Sequence, residues 1–409
     1  MVICSSSHCW PSIYACTDLG PLVQETKLAI VHIPLHLYPH FIQPILHLLT
    51  LSDSTDEVDG LPRRKWAYPN AFTNISVTTI ECSVVCPRPL VDELFRPLIE
   101  RLDAKAKQAV IISNDDFVVI QVGGEGMEAG QRVLDLTAPL ALAGISIFFI
   151  TSYYSDFVLV PYNSKSTVIS ALEERGFAFE PISNGHGANM TNISSPLHSH
   201  NRNSSSSSSL DSQPPGTPPP ATVAEWQTKT FSTLHRNDIL PLVDETLELR
   251  TCAGYRSDSN DVHDAIMLGV FRCLLTNPRF MSITLTQTDT VSITLDQQLL
   301  SNFPESGEGI LLQNDQTYFA IVFDLRKLPE ESTGIICGVA GRLLERLGDD
   351  GGAGEGAAFN MSYLSTARTG NVIVQEDEVH DALEALLEEE ALSVDSLHRM
   401  DGIDGMNGH

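Results

Sequence analysis

Residues 147–161 read IFFITSYYSDFVLVP, which is two apolar runs joined by a short polar turn. Runs of this length and composition, bounded by turn residues, predict a β-hairpin. Before it, residues 116–122 predict a strand and residues 127–143 predict a helix that ends at Gly144, because glycine commonly terminates helices. After it, residues 164–175 predict a second helix. The resulting order, strand–helix–strand–strand–helix, is typical of a ferredoxin-like unit.

The same order recurs along the rest of the chain. The segments 144–152 and 359–366 are directly similar, since both are apolar strands that end in Ser and Thr and each precedes a short strand and a helix. We therefore predict an α+β protein with four ferredoxin-like βαββαβ units arranged as two tandem pairs. The predicted units span residues 24–105, 106–182, 237–310 and 311–391.

The two predicted pairs are joined by a Ser- and Pro-rich segment. Residues 183–236 contain a run of serines at 204–209 and the proline-rich stretch 214–220. Such a composition buries too little apolar area to offset the entropy lost on ordering, so we predict a disordered linker. Residues 1–23 are predicted to be a disordered N-terminal extension, and residues 392–409 an acidic disordered tail.

Composition excludes several classes of partner. The 409 residues are 42% hydrophobic, enough for sizeable cores, and the formal net charge is −27. A strongly acidic protein is a poor match for nucleic acid or for an anionic membrane surface, because both require clustered Lys and Arg. The longest apolar run, residues 145–150, is far shorter than the ~20 residues that span a bilayer. We predict a cytoplasmic protein with neither a membrane nor a nucleic-acid partner.

The sequence contains no motif typical of a catalytic site. It lacks a nucleophile elbow, a phosphate-binding loop and a zinc-protease signature. His36, His40 and His47 share helical spacing, but no carboxylate pattern accompanies them, and the N-terminal cysteines do not have the spacing of paired zinc ligands. We therefore predict a protein that is not an enzyme and that holds no metal and no cofactor.

The hairpin at 147–161 resembles the second half of an ACT domain. More narrowly, the chain resembles the tandem-ACT amino-acid sensors of the CASTOR type, which are cytosolic arginine sensors that act on the TOR kinase pathway. The resemblance continues in the last predicted unit, where Gly334-Ile335-Ile336 opens a helix and residues 363–366 follow on a strand. It covers nearly all of the chain outside the linker and the tails, and it is strongest in the second and fourth units.

The resemblance implies an amino-acid ligand between the second and fourth units. We expect the ligand carboxylate to meet N–H groups at the start of the helix after Gly334, where the helix dipole favours an anion. The hydroxyl groups of Ser146 and Thr366 are expected to form hydrogen bonds with the ligand. The site residues implied by the resemblance are Ser146, Ile147, Thr333, Gly334, Ile336 and Thr366.

The sequence departs from these sensors at Gly370. The family places an Asp there, which pairs with the arginine guanidinium, and this chain also has Ala367 and Thr369 where aromatic residues are expected. A buried guanidinium without its partner costs about 3–5 kcal/mol. Arginine is therefore disfavoured as the ligand. Arg368 favours a neutral or acidic ligand instead, and loss of the ligand altogether is the alternative.

The resemblance also implies a protein partner. Tyr153, Tyr154 and Asp156 fall on the segment that such sensors turn toward their partner complex, and exposed aromatic residues suit an interface. The alternative is that Tyr153 packs in the core and Asp156 makes the turn. ACT units often pair their sheets side by side, so either pairing within the chain or a homodimer is compatible with the sequence. The competing function is a scaffold that keeps the fold and binds partners without a ligand.

Overall fold

The computed structural model describes most of the predicted units. The described residues are 22–50, 57–58, 61–62, 68–123, 129–177, 179, 222–257, 259–304, 310–313, 315–329, 332–347 and 359–388. The predicted N-terminal extension up to residue 21, residues 183–221 of the predicted linker and the predicted tail lie outside them.

Strands and helices alternate along the chain. The first part of the chain contains β1 (Leu28–Pro34), α1 (Tyr38–Thr50), β2 (Phe72–Val77), β3 (Glu81–Pro87), α2 (Arg96–Arg101, preceded by helical turns at Arg88–Leu90 and Val91–Phe95), α3 (Ala104–Ala109), β4 (Phe117–Gly123), α4 (Ala129–Leu142), β5 (Phe148–Thr151), β6 (Ser155–Pro161) and α5 (Lys165–Glu173).

The second part has a similar order after an additional helix, with a 3-10 helix at Gln297–Asn302 where the first part has α2 and α3. It contains α6 (Val223–Arg236), β7 (Leu249–Gly254), α7 (Asn260–Leu275), β8 (Met281–Thr286), β9 (Ser292–Asp296), β10 (Tyr318–Asp324), α8 (Ile335–Leu347), β11 (Met361–Ser365), β12 (Thr369–Gln375) and α9 (Val379–Leu387). Short strands at Leu22–Val23, Ile111–Ile112, Leu242–Val243 and Leu311–Gln313 add to β4, β1, β10 and β7.

Strands from both parts form one antiparallel sheet that closes on itself. The order is β4-β6-β5-β11-β12-β10-β7-β9-β8-β2-β3-β1, and β1 returns to β4 through Leu28 opposite Phe117. The two parts meet where all of β2 pairs with all of β8, and again where Ile150 on β5 lies opposite Leu364 on β11. The sheet therefore fixes the second part of the chain against the first.

Both faces of this sheet are buried. The inner face carries Leu28, Phe72, Phe157, Leu249 and Ile373, which form one core within the ring. The helices cover the outer face, and β4 and β6 accordingly read as largely apolar runs in the sequence. In β2 and β8 apolar residues alternate with Thr, Ser and Asn, and these polar residues are buried as well.

Two further cores lie between the outer face and the helices. One joins α1 to α7, with Phe41 and Val270 among its members, and the other joins α4 to α8, with Leu136 and Val339. Residues of the first predicted unit thus share a core with the third, and residues of the second share a core with the fourth. Within the described residues, none of the helices is both long and apolar enough to cross a bilayer.

The predicted linker is wrong over its last 14 residues, which form α6. Trp226, Phe231 and Leu234 give this helix a buried apolar face, and the Thr222 hydroxyl caps it by accepting from the Glu225 N–H at 3.2 Å. A Thr followed three residues later by Glu is a known helix-start signal. The linker prediction missed this signal because it rested on the composition of the proline-rich stretch immediately before it.

Candidate functional site

A cavity lies where three connecting segments meet: the turn from α4 to β5, the segment between β10 and α8, and the β11–β12 hairpin. We call it the first cavity, and its volume is about 80 Å³. It is lined by five of the six predicted ligand residues, Ser146, Ile147, Gly334, Ile336 and Thr366. Gly370, where the sequence departs from the sensors it resembles, lines it as well. The sixth, Thr333, is half-buried in the same segment but does not line the cavity.

Ser146 joins two of these segments directly. Its hydroxyl donates to the Ser332 carbonyl at 3.2 Å, so the turn after α4 is held against the segment before α8. The turn itself is set by Gly144, whose φ of 70° ends α4 in the left-handed conformation that glycine adopts without strain. Ser146 therefore forms an edge of the cavity.

A glycine is required at position 334 because a neighbouring helix approaches the backbone there closely. Its φ is 77°, and a Cβ atom there would lie 2.2 Å from Cε3 of Trp226 on α6. Its carbonyl accepts from the Thr230 hydroxyl at 3.1 Å and from the Gly338 N–H at 2.9 Å. The group that approaches the Cα of Gly334 is therefore the Trp226 indole.

The third side of the cavity is closed by the hairpin that begins at Thr366. The Thr366 hydroxyl accepts from the Thr369 N–H at 3.1 Å and donates to Oε1 of Glu81 at 2.5 Å. The Thr366 side chain is 4% exposed. Its hydroxyl is therefore engaged within the protein, and Thr366 shapes the hairpin that forms the cavity wall.

Glu81 is the residue that sequence reasoning missed. It begins β3, is fully buried, and accepts from the Arg368 N–H at 2.6 Å as well as from Thr366; its second oxygen contacts Nδ1 of His32. Buried carboxylates persist only when donors surround them. Glu81 thus holds the hairpin of the last predicted unit against the first. The available signal was a carboxylate at the start of an otherwise buried strand.

At Gly370, where the resembling sensors have an Asp, the Tyr363 phenol occupies the space that a side chain would need. A Cβ atom on Gly370 would lie 2.4 Å from Oη of Tyr363, which is 1% exposed and whose pKa is raised by burial. Among the described lining residues, no Asp or Glu is present and Arg368 carries the only charge. The environment therefore suits a neutral or anionic group better than a guanidinium.

The three residues of the predicted partner surface differ in burial. Asp156 is fully buried and pairs with Arg132 on α4; burial raises its pKa, and Arg132 opposes that change. The prediction that Asp156 lies on an exposed partner surface is wrong. Tyr153 and Tyr154 are half-buried with ring centroids 5.0 Å apart, and the Tyr153 N–H donates to Ser292 Oγ at 2.8 Å. For these two residues partner binding stays a prediction.

Comparison with known proteins supports the ACT-type α+β fold. Residues 112–174, which include the elements from β4 to α5, match the ACT domain family. An aspartate kinase from Synechocystis aligns over 96% of this chain and 57% of its own, with 10% identity and a TM-score of 0.31. The regulatory subunit of aspartate kinase from Thermus thermophilus aligns over 39% of this chain and 99% of its own, with 11% identity and a TM-score of 0.26.

The structural likenesses are weak and the family match is local. This chain spans only 57% of the Synechocystis enzyme. The sequence matches no curated protein. The ACT assignment therefore stands on residues 112–174.

Proposed function

We propose that this protein is a non-catalytic regulatory protein that binds an amino acid in the first cavity. ACT domains are commonly regulatory domains that bind small molecules, often amino acids. In the proposal the chain carries four ACT units at 24–105, 106–182, 237–310 and 311–391, and the ligand lies between the second and the fourth. The observation that carries it is that Ser146 and Thr366, which are far apart in sequence, line one cavity within a shared core.

The lining chemistry narrows the ligand to a small neutral or acidic amino acid. Tyr363 occupies the space beside Gly370 where a carboxylate would have to sit to bind an arginine side chain. Arg368 provides a guanidinium, which matches a carboxylate with paired hydrogen bonds. A volume of about 80 Å³ is also below the roughly 300–1,000 Å³ of pockets for drug-sized ligands.

The proposal includes a cytoplasmic protein partner, as in the CASTOR-type sensors of the TOR pathway, to which the ligand state is passed. The supporting contact is Trp226. Its indole packs with Ala141 and Cys337 and covers Gly334, and these three residues also line the first cavity. A ligand that moves the cavity wall would therefore also move α6, which is the described end of the segment between the two halves.

The test is a thermal-shift screen of the full chain against each common amino acid at millimolar concentration, followed by titration calorimetry. A ligand that binds only the folded state at 100 times its Kd stabilises it by about 2.7 kcal/mol. Arg368→Ala should weaken binding ~10-fold or more, because a charge-assisted hydrogen bond is lost. The matched control is Arg326→Ala, whose side chain pairs with Asp324 and does not line the cavity.

Two outcomes would end the amino-acid proposal. One is a complete screen in which no amino acid shifts the melting temperature. The other is a ligand whose affinity Arg368→Ala and Arg326→Ala reduce equally, since that would place the ligand outside the first cavity.

The second candidate function is a scaffold that binds partners without a ligand. Two features favour it. The first cavity is small, and the Tyr363 phenol occupies the space beside Gly370, where the resembling sensors have a carboxylate. It predicts that partner capture from cell extract is unchanged by amino-acid depletion, whereas the sensor proposal predicts that capture changes.

A further inference from the structure

A second cavity lies beside the hairpin that carries Glu81, and its volume is about 420 Å³. It is lined by the β1–α1 turn, the β2–β3 hairpin and the α7–β8 turn, including His36, Thr79 and Arg279. The first cavity is lined by the β10–α8 segment, the β11–β12 hairpin and the α4–β5 turn. The same three kinds of segment therefore form both cavities.

The turns that follow the helices correspond in position. Asn277, with a φ of 52°, ends α7 in the left-handed conformation four residues before β8, as Gly144, with a φ of 70°, ends α4 four residues before β5. Asparagine is the usual substitute for glycine at this position. Counting from these residues, Arg279 takes the place that Ser146 has in the first cavity.

The two hairpins have the same internal hydrogen bonds. The Thr78 N–H donates to the Glu81 carbonyl at 2.8 Å, and the Glu81 N–H donates to the Thr78 hydroxyl at 3.2 Å. In the first cavity the Thr366 N–H donates to the Thr369 carbonyl at 2.9 Å, and the Thr369 N–H donates to the Thr366 hydroxyl at 3.1 Å. Glu81 therefore has the place of Thr369, so one hairpin carries a carboxylate where the other carries a hydroxyl.

The Glu81 carboxylate joins the hairpin of the second cavity to the wall of the first. Its Oε1 accepts from the Arg368 N–H at 2.6 Å and from the Thr366 hydroxyl at 2.5 Å, and both residues line the first cavity. Between them the Ala367 N–H donates to Ser83 Oγ at 3.2 Å. A carboxylate thus lies one hydrogen bond behind the cavity wall. Because Glu81 is fully buried, little water screens its charge from a ligand in the cavity.

His32 lies at the other oxygen of this carboxylate. Its Nδ1 contacts Oε2 of Glu81, and the residue is 9% exposed on the inner face of β1. A buried carboxylate is costly unless a cation or hydrogen-bond donors compensate it, and an imidazole can supply the cation at neutral pH. With a proton on His32 the pair has no net charge. Without His32 the wall of the first cavity would have a negative charge directly behind it.

We propose that His32 and Glu81 set the charge preference of the first cavity: the His32 imidazolium balances Glu81, which allows an acidic amino acid to bind beside Arg368. This inference rests on the amino-acid site proposed above and concerns how that site distinguishes an acidic from a neutral ligand. Neither residue lines the cavity. Both act on the ligand through the hairpin that does.

The experiment titrates the full chain by calorimetry at pH 7 with L-aspartate and with L-asparagine, which have nearly the same shape and differ by one charge. The quantity compared between variants is the ratio of the two Kd values. His32→Gln keeps a donor for Glu81 but leaves its charge unbalanced, so it should weaken L-aspartate relative to L-asparagine ~5-fold or more. The double variant His32→Gln/Glu81→Gln replaces one neutral pair by another and should return the ratio to within ~2-fold of wild type.

The matched control is Ser83→Ala. It removes the hydrogen bond to the Ala367 N–H and so disturbs the same hairpin without changing any charge. It should alter both affinities by the same factor and leave their ratio within ~2-fold of wild type. A ratio that responds to charge but not to this lost hydrogen bond separates the proposed role of His32 from a structural one.

Three results would overturn the inference: His32→Gln and Ser83→Ala change the ratio equally, the double variant departs from the wild-type ratio by more than ~3-fold, or neither amino acid binds while another does. The double variant decides the matter even if His32→Gln alone does not fold. In each of these cases the amino-acid site itself still stands. If no amino acid binds at all, the site and this inference fail together.

Discussion

The two cavities share one construction and differ in what lies behind and within them. The first is backed by α6, and its glycine at 334 is in contact with Trp226. The second is lined by exposed His36, Thr79 and Arg279 and has several times the volume. The same kinds of turn thus surround one smaller and one larger cavity, each lined by a single arginine, Arg368 in the first and Arg279 in the second. The backbone sets where a cavity forms, and a few side chains set its chemistry.

The largest expected effect tests whether Trp226 on α6 packs against the wall of the first cavity. Trp226→Ala removes an indole that is 1% exposed and should lower the free energy of unfolding by about 3–5 kcal/mol. Urea denaturation followed by circular dichroism gives this value. A loss below about 1 kcal/mol would show that α6 is not packed there, and the contrast between the cavities would fail.

The next prediction compares two left-handed glycines on opposite sides of the first cavity. Gly144→Ala should lower the free energy of unfolding by about 1–2 kcal/mol, the penalty for a side chain in the left-handed conformation. No further penalty is expected, because nothing lies within 4 Å of the added Cβ. Gly334→Ala should cost about 1–3 kcal/mol more, because its Cβ also overlaps Trp226.

The double variant Gly334→Ala/Trp226→Ala isolates that overlap. The two changes should be strongly non-additive, because removal of the indole relieves the clash. Equal losses for Gly144→Ala and Gly334→Ala, or simple additivity in the double variant, would rule out the contact.

A smaller effect tests the hydrogen bonds by which Glu81, in the first part of the chain, holds the β11–β12 hairpin of the first cavity. Glu81→Ala leaves the Thr366 hydroxyl and the Arg368 N–H without their acceptor and should cost about 1–3 kcal/mol. Glu81→Gln keeps an acceptor oxygen and should cost less. If the two variants are equally stable, the hydrogen bonds to Glu81 do not hold the hairpin.

The smallest expected effect concerns the edge of the first cavity. Ser146→Ala removes a hydroxyl that donates to Ser332 and should lower the free energy of unfolding by about 0.5–1.5 kcal/mol. Chemical denaturation measures this difference. In the second cavity Arg279→Ala, at the corresponding position, should change stability by less than about 1 kcal/mol, because its ion pair with Asp244 is exposed.

Sequence reasoning went furthest where the resemblance could place residues by position. It implied one site for Ser146, Ile147, Gly334, Ile336 and Thr366, and all five line the first cavity. It failed where a role depends on a distant neighbour. Asp156 was predicted to face a partner because the resemblance placed it on the partner-facing segment, but it is fully buried and pairs with Arg132 on the preceding helix.

The sequence by itself determined most of the strands and helices outside the predicted linker, because the spacing of apolar residues and the helix stops are properties of neighbouring positions. The resemblance implied that the second and fourth segments meet, but tertiary structure alone decided that the first packs with the third, since that pairing depends on contacts between the strands β2 and β8. It alone placed Glu81 behind Thr366, Trp226 over Gly334 and Arg279 in the second cavity, because each of these contacts joins residues that the sequence keeps far apart.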